Sequence, residues 1–239
     1  MKYKNKKLFA SILLAAGNSQ RLGLNIAKQF CLLKDNLSVL EISLKNISPF
    51  AENIIITLPV SEIQNLELQN KLKVIAQNFK TNLFFISGGQ NRFESVLKAF
   101  EIIKDKNPYL FIHDSARALT SAFDLENLLD LTIEYKAAIL AQPVSDTIKL
   151  SSNSEPENTK KHIQKTISRN NLWAAQTPQA FETELYKKAL NNAKNYNCEF
   201  TDDASLIELL GEKVYLVEAK HLNFKITNLA DLNLARKII

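Results

Sequence analysis

After an apolar run that ends at Leu14 come Ala15-Ala16-Gly17 and a polar segment in which Arg21 and Lys28 stand seven residues apart. Small residues let backbone N–H groups approach an anion closely, and two cations at this spacing can bracket a polyphosphate. The segment contains neither the GxxxxGK loop of P-loop nucleotide hydrolases nor the GxGxxG dinucleotide fingerprint, which disfavours both classes. A plain turn after a strand yields the same small-small-Gly pattern, so this loop alone names no ligand. Asp114 closes a second apolar run, with Arg117 three residues on, a spacing suited to one shared loop. A structural Asp–Arg ion pair is the alternative for these two. His113, His162 and His221 form no HxH or HxxxH pair, and Cys31 and Cys198 lie far apart, so nothing has the spacing of a zinc site. No nucleophile–base triad stands out. The chemistry in view is the handling of phosphate by cations and backbone donors.

Loops of this kind need strands to aim them. Apolar runs recur at Leu8 to Leu14, Asn53 to Leu58, Leu83 to Ile86, Tyr109 to His113, Ala137 to Ala141 and Lys213 to Val217. Helical periodicity appears in Phe93, Val96, Leu97 and Phe100, and again over Phe123 to Tyr135, Glu182 to Asn195 and Ala204 to Leu210. This alternation predicts an α/β fold, Rossmann-like, with a mostly parallel sheet covered by helices. Ligands of such sheets bind beyond the carboxyl ends of the strands, which singles out the loops after Leu14, Ile86 and His113. Residues 142 to 176 depart from the pattern. Val144, Ile148 and Leu150 alternate before the polar SSNSEPENTKK, and Ile163 and Ile167 alternate after it, as in a protruding β-hairpin. A lone hairpin is marginal in water, so the segment is either a loose surface loop or an arm that packs on something, such as a second subunit.

Composition narrows the classes further. The 239 residues are 46% apolar and 23% charged, enough for a substantial core and suited to one large domain or two small ones, of which a single domain spanning 1–239 is expected. The five glycines are about a third of the usual roughly 7%, and four of them are Gly17, Gly23, Gly88 and Gly89. Arginine is also scarce, at five against 25 lysines. The net charge of +5 suggests a nucleic-acid partner, but Lys2, Lys4, Lys6 and Lys7 supply most of it, so no nucleic-acid binding is expected. The start, MKYKNKKLFASILLAAG, has the basic and apolar regions of a secretory signal as well as those of a buried first strand. No run is long enough to cross a membrane as a helix, and the cysteine usage suits a reducing cytoplasm.

The segment LLAAGNSQRLGLNIAKQF resembles the signature of sugar nucleotidyltransferases, and its KQF ending resembles the 2-C-methyl-D-erythritol 4-phosphate cytidylyltransferase family. The resemblance extends over nearly the whole chain through SGGQNRFESV at 87–96, FIHDSAR at 111–117, PVSDTIK at 143–149, RNNLWAAQTPQAF at 169–181, TDDAS at 201–205 and NFKIT at 223–227. It also makes LLAAG part of a site rather than of an export signal. The resemblance implies that the phosphate of methylerythritol phosphate attacks the α-phosphorus of CTP, with Mg²⁺ accompanying the triphosphate. It further implies a homodimer formed through the arm. Alternatives are a relative acting on another polyol phosphate such as ribitol 5-phosphate, or a non-catalytic nucleotide-binding regulator.

Residue by residue, Arg21 and Lys28 match the family's cations that stabilise charge on the five-coordinate phosphorus. Ala15, Ala16 and Gly17 match backbone contacts to the nucleotide, and Gly89, Gln90 and Ser95 the cytosine pocket. Asp114 and Arg117 match the segment near the sugar phosphate, ribose and metal. Thr147, Arg169 and Thr177 match positions on or beside the arm, where Arg169 is similar to an arginine that grips substrate phosphate from the neighbouring subunit. Thr201 and Lys225 match a second phosphate-positioning set. No protein ligand of the metal is assigned. Arg92, at the start of a helix in the loop of Gly89 and Gln90, either contacts the ligand directly or braces the loop, while His113 is expected to be a packed strand-end residue and Trp173 to anchor the base of the arm. Departures from the family pattern are Ser19, Gln20, Ala27 in place of a proline, Ser115 in place of alanine, and Ala118 in place of a proline. They predict altered loop stiffness with activity retained.

Overall fold

The computed structural model describes residues 7–17, 26–152, 160–193 and 200–239. Arg21, Gly23, Ser19, Gln20 and Cys198, like the tip of the arm, lie outside the described residues.

The first apolar run is a strand, β1 (Phe9–Leu14). It pairs in parallel with β4 (Ala51–Leu58) on one side and β6 (Tyr109–Asp114) on the other. Beyond β4 lies β5 (Asn82–Ser87), also parallel. On the far side of β6 comes an antiparallel strand, β10 (Trp173–Glu182), then β7 (Ala137–Pro143), with β11 (Tyr215–Glu218) parallel to β7 at the edge. The seven-stranded order is therefore β11-β7-β10-β6-β1-β4-β5. Central strands are buried on both faces, which explains their unbroken apolar runs. Ile54, Ile55 and Ile56 of β4 are all fully buried, each contributing roughly 1.5–3 kcal/mol of transfer free energy.

Helices α1 (Val39–Ile47), α2 (Leu66–Gln77) and α4 (Ala122–Tyr135) cover one face of the sheet. The other face is covered by α3 (Arg92–Ile103), α5 (Thr183–Ala193) and α6 (Ala204–Leu209). The C-terminal α7 (Leu229–Ile238) closes a smaller core with the ribbon β2 (Leu32–Lys34) and β3 (Leu37–Ser38). The expected α/β architecture with a mostly parallel sheet is thus present. The arm is a separate two-stranded ribbon, β8 (Ile148–Ser151) against β9 (Ile163–Ile167), antiparallel as its alternation predicts.

The sequence does not announce β10. Its WAAQTPQAFE lacks alternation and contains Pro178, which normally argues against a central strand. The ladder accommodates it through a register shift between Ala175 and Gln179, where Thr177 and Pro178 lie outside the pairing. Scarce glycine has a backbone counterpart. Left-handed positions are filled by Asp35, Asn36, Lys80, Lys136 and Asn171, and of the described glycines only Gly211 has such a φ, at +79°.

Candidate active site

Beyond the carboxyl ends of β1, β4, β5 and β6 lies a cleft of about 320 Å³. Parallel pairing brings its loops together: the Ala15 N–H donates to the Thr57 carbonyl at 3.1 Å, Gly88 N–H to Leu58 at 2.9 Å, and Ser115 N–H to Leu14 at 3.0 Å. Among the residues marked from sequence, Ala15, Ala16, Gly17, Lys28, Gly89, Gln90, Ser95, Asp114 and Lys225 line this cleft.

Gly88 and Gly89 are required by closeness. A Cβ on Gly88 would sit 2.3 Å from the Ala16 Cβ, and one on Gly89 2.3 Å from the Glu94 Cβ. The loop after β5 therefore rests directly on the loop after β1 and on the first turn of α3. Asn91 caps that helix by accepting from Glu94 N–H at 2.9 Å. The Ser95 hydroxyl accepts from Gly89 N–H at 2.9 Å and donates to the Asn91 carbonyl at 2.9 Å, so it shapes the wall. Among the described residues nothing lies within 4 Å of a Cβ placed on Gly17, which is exposed and lines the cleft.

Asp114 is the charged centre. Its Oδ2 receives Lys225 Nζ at 2.6 Å, while Arg92 Nε stands 3.5 Å from Oδ1. Burial opposes ionisation of this carboxyl, but Lys225 and Arg92 outweigh it and hold the pKa at about 2. Of the two readings of Arg92, its contacts fit the brace. Its terminal nitrogen reaches the buried Asp203 at 2.6 Å, and although burial disfavours its charge, Asp203 and Asp114 keep it firmly protonated. His113 is fully buried, with Nδ1 3.1 Å from the Thr177 hydroxyl, and burial lowers its pKa to about 3. It is a neutral packing residue.

Several marked residues stand away from the cleft lining. The Thr177 hydroxyl accepts from the Asp114 backbone N–H at 3.0 Å, so the irregularity in β10 anchors the end of β6. Arg117 donates to the Asn223 carbonyl at 2.7 Å, and its Nε is buried without a hydrogen-bond partner among the described residues. Burial lowers the pKa of this guanidinium, with Asp114 opposing. Thr201 is exposed. Thr147 and Arg169 are exposed at the base of the arm, where the Arg169 guanidinium donates to the Ser145 carbonyl. Trp173 opens β10 opposite Pro143, half-buried at that same base.

Other contributors were present in the motifs but not marked. Gln29, 1% exposed, donates from Nε2 to the Ala15 carbonyl at 2.8 Å and to the Gly17 carbonyl at 3.2 Å. Asn223 joins three segments: its amide donates to Gln176 Oε1 and to the Thr177 carbonyl, each at 2.9 Å, and its Oδ1 accepts from Thr120 at 2.7 Å. Both lie inside quoted motifs, KQF and NFKIT, which was the available signal.

Comparison with known proteins agrees with this geometry. The family model described as 2-C-methyl-D-erythritol 4-phosphate cytidylyltransferase matches residues 9–239. The chain is 35% identical over 235 residues to the enzyme of that name from Endomicrobium trichonymphae, covering 96% of this chain and 98% of the relative. It is 36% identical over 231 residues to that from Shouchella clausii, with 97% and 96% covered. The crystal structure of the Francisella tularensis enzyme superposes with a TM-score of 0.76 at 27% identity, covering 96% of this chain and 99% of the other. The Thermus thermophilus structure gives 0.74 at 27% identity, with 95% and 97% covered. Matched from β1 to its last residue, and carrying the motifs on loops that meet in one cleft, the chain belongs to the 2-C-methyl-D-erythritol 4-phosphate cytidylyltransferase family.

Proposed function

We propose that this cleft transfers the cytidylyl group of CTP to 2-C-methyl-D-erythritol 4-phosphate, the whole chain acting as one catalytic domain. A phosphate oxygen of the polyol phosphate bonds to the α-phosphorus, the bond to the bridging oxygen breaks, and pyrophosphate leaves with that electron pair. The nucleophile is already anionic near neutral pH, so no general base is needed. A site whose neighbouring histidine is buried and neutral suits that requirement. Rate then comes from in-line positioning and from cations placed where charge accumulates. The observation that carries this reading is the meeting of Lys28, Lys225 and the exposed Gly17 in one cleft with the Gly88-Gly89 loop.

In this reading Lys28, with Arg21, stabilises the five-coordinate phosphorus, and Ala15, Ala16 and Gly17 contact the triphosphate. Gly89, Gln90 and Ser95 frame the cytosine. Asp114, Lys225, Arg117 and Thr201 serve the polyol phosphate, with Thr177 holding Asp114 in place. The described residues contain no group of three His, Cys, Asp or Glu side chains able to hold a metal, and Asp114 is the one carboxylate in the cleft lining. That donor set fits a Mg²⁺ ion carried chiefly by the triphosphate, to which Asp114 would be the carboxylate the cleft could offer. Such an ion supplies charge neutralisation that a few side chains cannot.

The arm carries exposed Leu150 and Ile163, and it leaves Arg169 and Thr147 exposed beside its base. This supports a homodimer in which Arg169 and Thr147 complete the partner's cleft. The described residues include no helix long and apolar enough to cross a membrane, and Cys31 is a buried free thiol, in keeping with a cytoplasmic enzyme. Pyrophosphate release from CTP with methylerythritol phosphate, compared with ribitol 5-phosphate, tests the substrate. Faster turnover of ribitol 5-phosphate would replace the acceptor, and CTP binding without turnover would mark a regulator. Arg21→Ala and Lys28→Ala are each expected to lower kcat by about 10²-fold.

A further inference from the structure

Behind the cleft wall lies a row of groups that the reaction as described does not use. Asp203 is 1% exposed and absent from the cleft lining. Its Oδ1 accepts from the Tyr186 hydroxyl at 2.6 Å, and its Oδ2 accepts from Arg92 at 2.6 Å. Tyr186 is fully buried under the sheet, stacked on Phe181 at 5.1 Å. Gln179 of β10 fixes the backbone here: its Oε1 accepts from the N–H groups of Asp203 and Ala204 at 2.9 and 3.0 Å, and its amide donates to Asp202 at 2.9 Å. From Asp203 the charges alternate outward through Arg92, Asp114 and Lys225.

The distances within this row are unequal. Arg92 is 2.6 Å from Asp203 but 3.5 Å from Asp114, whereas Asp114 is 2.6 Å from Lys225. A buried carboxylate is costly unless paired, and a well-packed neutral pair would fold as well, so stability alone does not account for this one. Its geometric effect is specific. By holding Arg92 back, it leaves Asp114 to Lys225. Without that hold, the guanidinium is free to close on Asp114 and compete with the ammonium.

We propose that Asp203 is a positioning residue for cytidylyl transfer: from behind the cleft it restrains Arg92, so that Asp114 keeps Lys225 where the phosphate of the polyol substrate arrives. This rests on the reading of the cleft given above and extends it to a residue that touches no substrate. The TDDAS motif thereby gains a role for its second aspartate in addition to that of Thr201.

The test is steady-state kinetics of Asp203→Asn, which keeps shape and an acceptor oxygen but removes the charge. KM for methylerythritol phosphate is expected to rise about tenfold, while KM for CTP stays within twofold. Tyr186→Phe keeps the charge and removes one donor, so it should shift the same KM in the same direction, by about threefold. Because Asp203 acts through Arg92, the charge-balanced Arg92→Met/Asp203→Asn variant should match Arg92→Met alone. Tyr186→Phe keeps both charges, so its KM shift decides the proposal even if Asp203→Asn or Arg92→Met alone does not fold. A parallel rise in both KM values, an unchanged KM for the polyol phosphate, or multiplying losses in the double variant would overturn the proposal. A wild-type protein that releases no pyrophosphate overturns the reading of the cleft and this inference with it; an active wild type with an unaltered KM ratio in the variants overturns the inference alone.

Discussion

Gln29→Leu offers the sharpest test of how the loop proposed to contact the nucleotide is held. One buried amide binds two carbonyls of that loop, Ala15 at 2.8 Å and Gly17 at 3.2 Å. A trans peptide carries its C=O and N–H on opposite sides, so anchoring the Ala15 carbonyl fixes the direction of the Ala16 N–H. Two net hydrogen bonds are worth about 1–3 kcal/mol together. Gly17 is exposed, and its carbonyl recovers a bond to water, whereas Ala15 is 2% exposed and its carbonyl remains shielded. The greater part of the loss therefore falls at Ala15. Leucine regains some free energy through its apolar burial, leaving a net destabilisation of about 1–2 kcal/mol. CTP must then order the freed peptides itself, which should weaken its binding by about tenfold, or about 1.4 kcal/mol. Gln29→Glu removes both donors and sets a carboxylate against two carbonyl oxygens, so its loss should be larger. Urea denaturation reports the first quantity and titration calorimetry with CTP the second. A Gln29→Leu protein that binds CTP within twofold of wild type would refute the idea that this amide preorganises the loop.

Ala27 has φ −64° and ψ 140°, values a proline adopts without strain, so Ala27→Pro should raise stability by about 0.4–1 kcal/mol. A lower urea midpoint would show that the ring meets an obstacle. The Asp114 carboxyl titrates at about 2 in the fold against 3.8 when unperturbed, so its contribution is fully present above about pH 4 and fades as pH falls toward 2. The stability gap between wild type and Asp114→Asn should therefore shrink by about 2 kcal/mol from pH 5 to pH 2, and a constant gap would contradict the assignment. Gly88→Ala forces a 2.3 Å contact with Ala16 and should cost about 1–3 kcal/mol, whereas Gly17→Ala meets nothing within 4 Å among the described residues and should fold like wild type. Equal urea midpoints for the two variants would remove steric closeness as the reason for Gly88.

Much of the scaffold could be read locally. The runs ending at Leu14, Leu58, Ile86 and His113 are strands of the parallel sheet, and the segments at Phe93–Phe100 and Phe123–Tyr135 fall within α3 and α4. Helices α1, α2 and α7 were not anticipated. In α2 only Leu72 and Ala76 are buried, so its apolar stripe is thin, and α7 likewise buries only Leu232 and Ala235. The strand β10 was hidden because its pairing is set by neighbours on both sides and interrupted where Pro178 sits.

The class of fold, the family and the three loops that meet at the carboxyl edge of the sheet are legible in the chain alone, because strand periodicity and contiguous motifs are local properties. How the charges divide is set by three-dimensional packing. Lys225 and Asp114 are 111 residues apart, as are Arg92 and Asp203, and no spacing rule says that Arg92 belongs more to the second aspartate than to the first. That division depends on differences of about an ångström among buried groups, where the attraction between charges is strong and rotamers are confined by packing. The same packing turns Thr177 towards the back of Asp114 and sets Arg169 at the root of the arm, away from the cleft of its own chain.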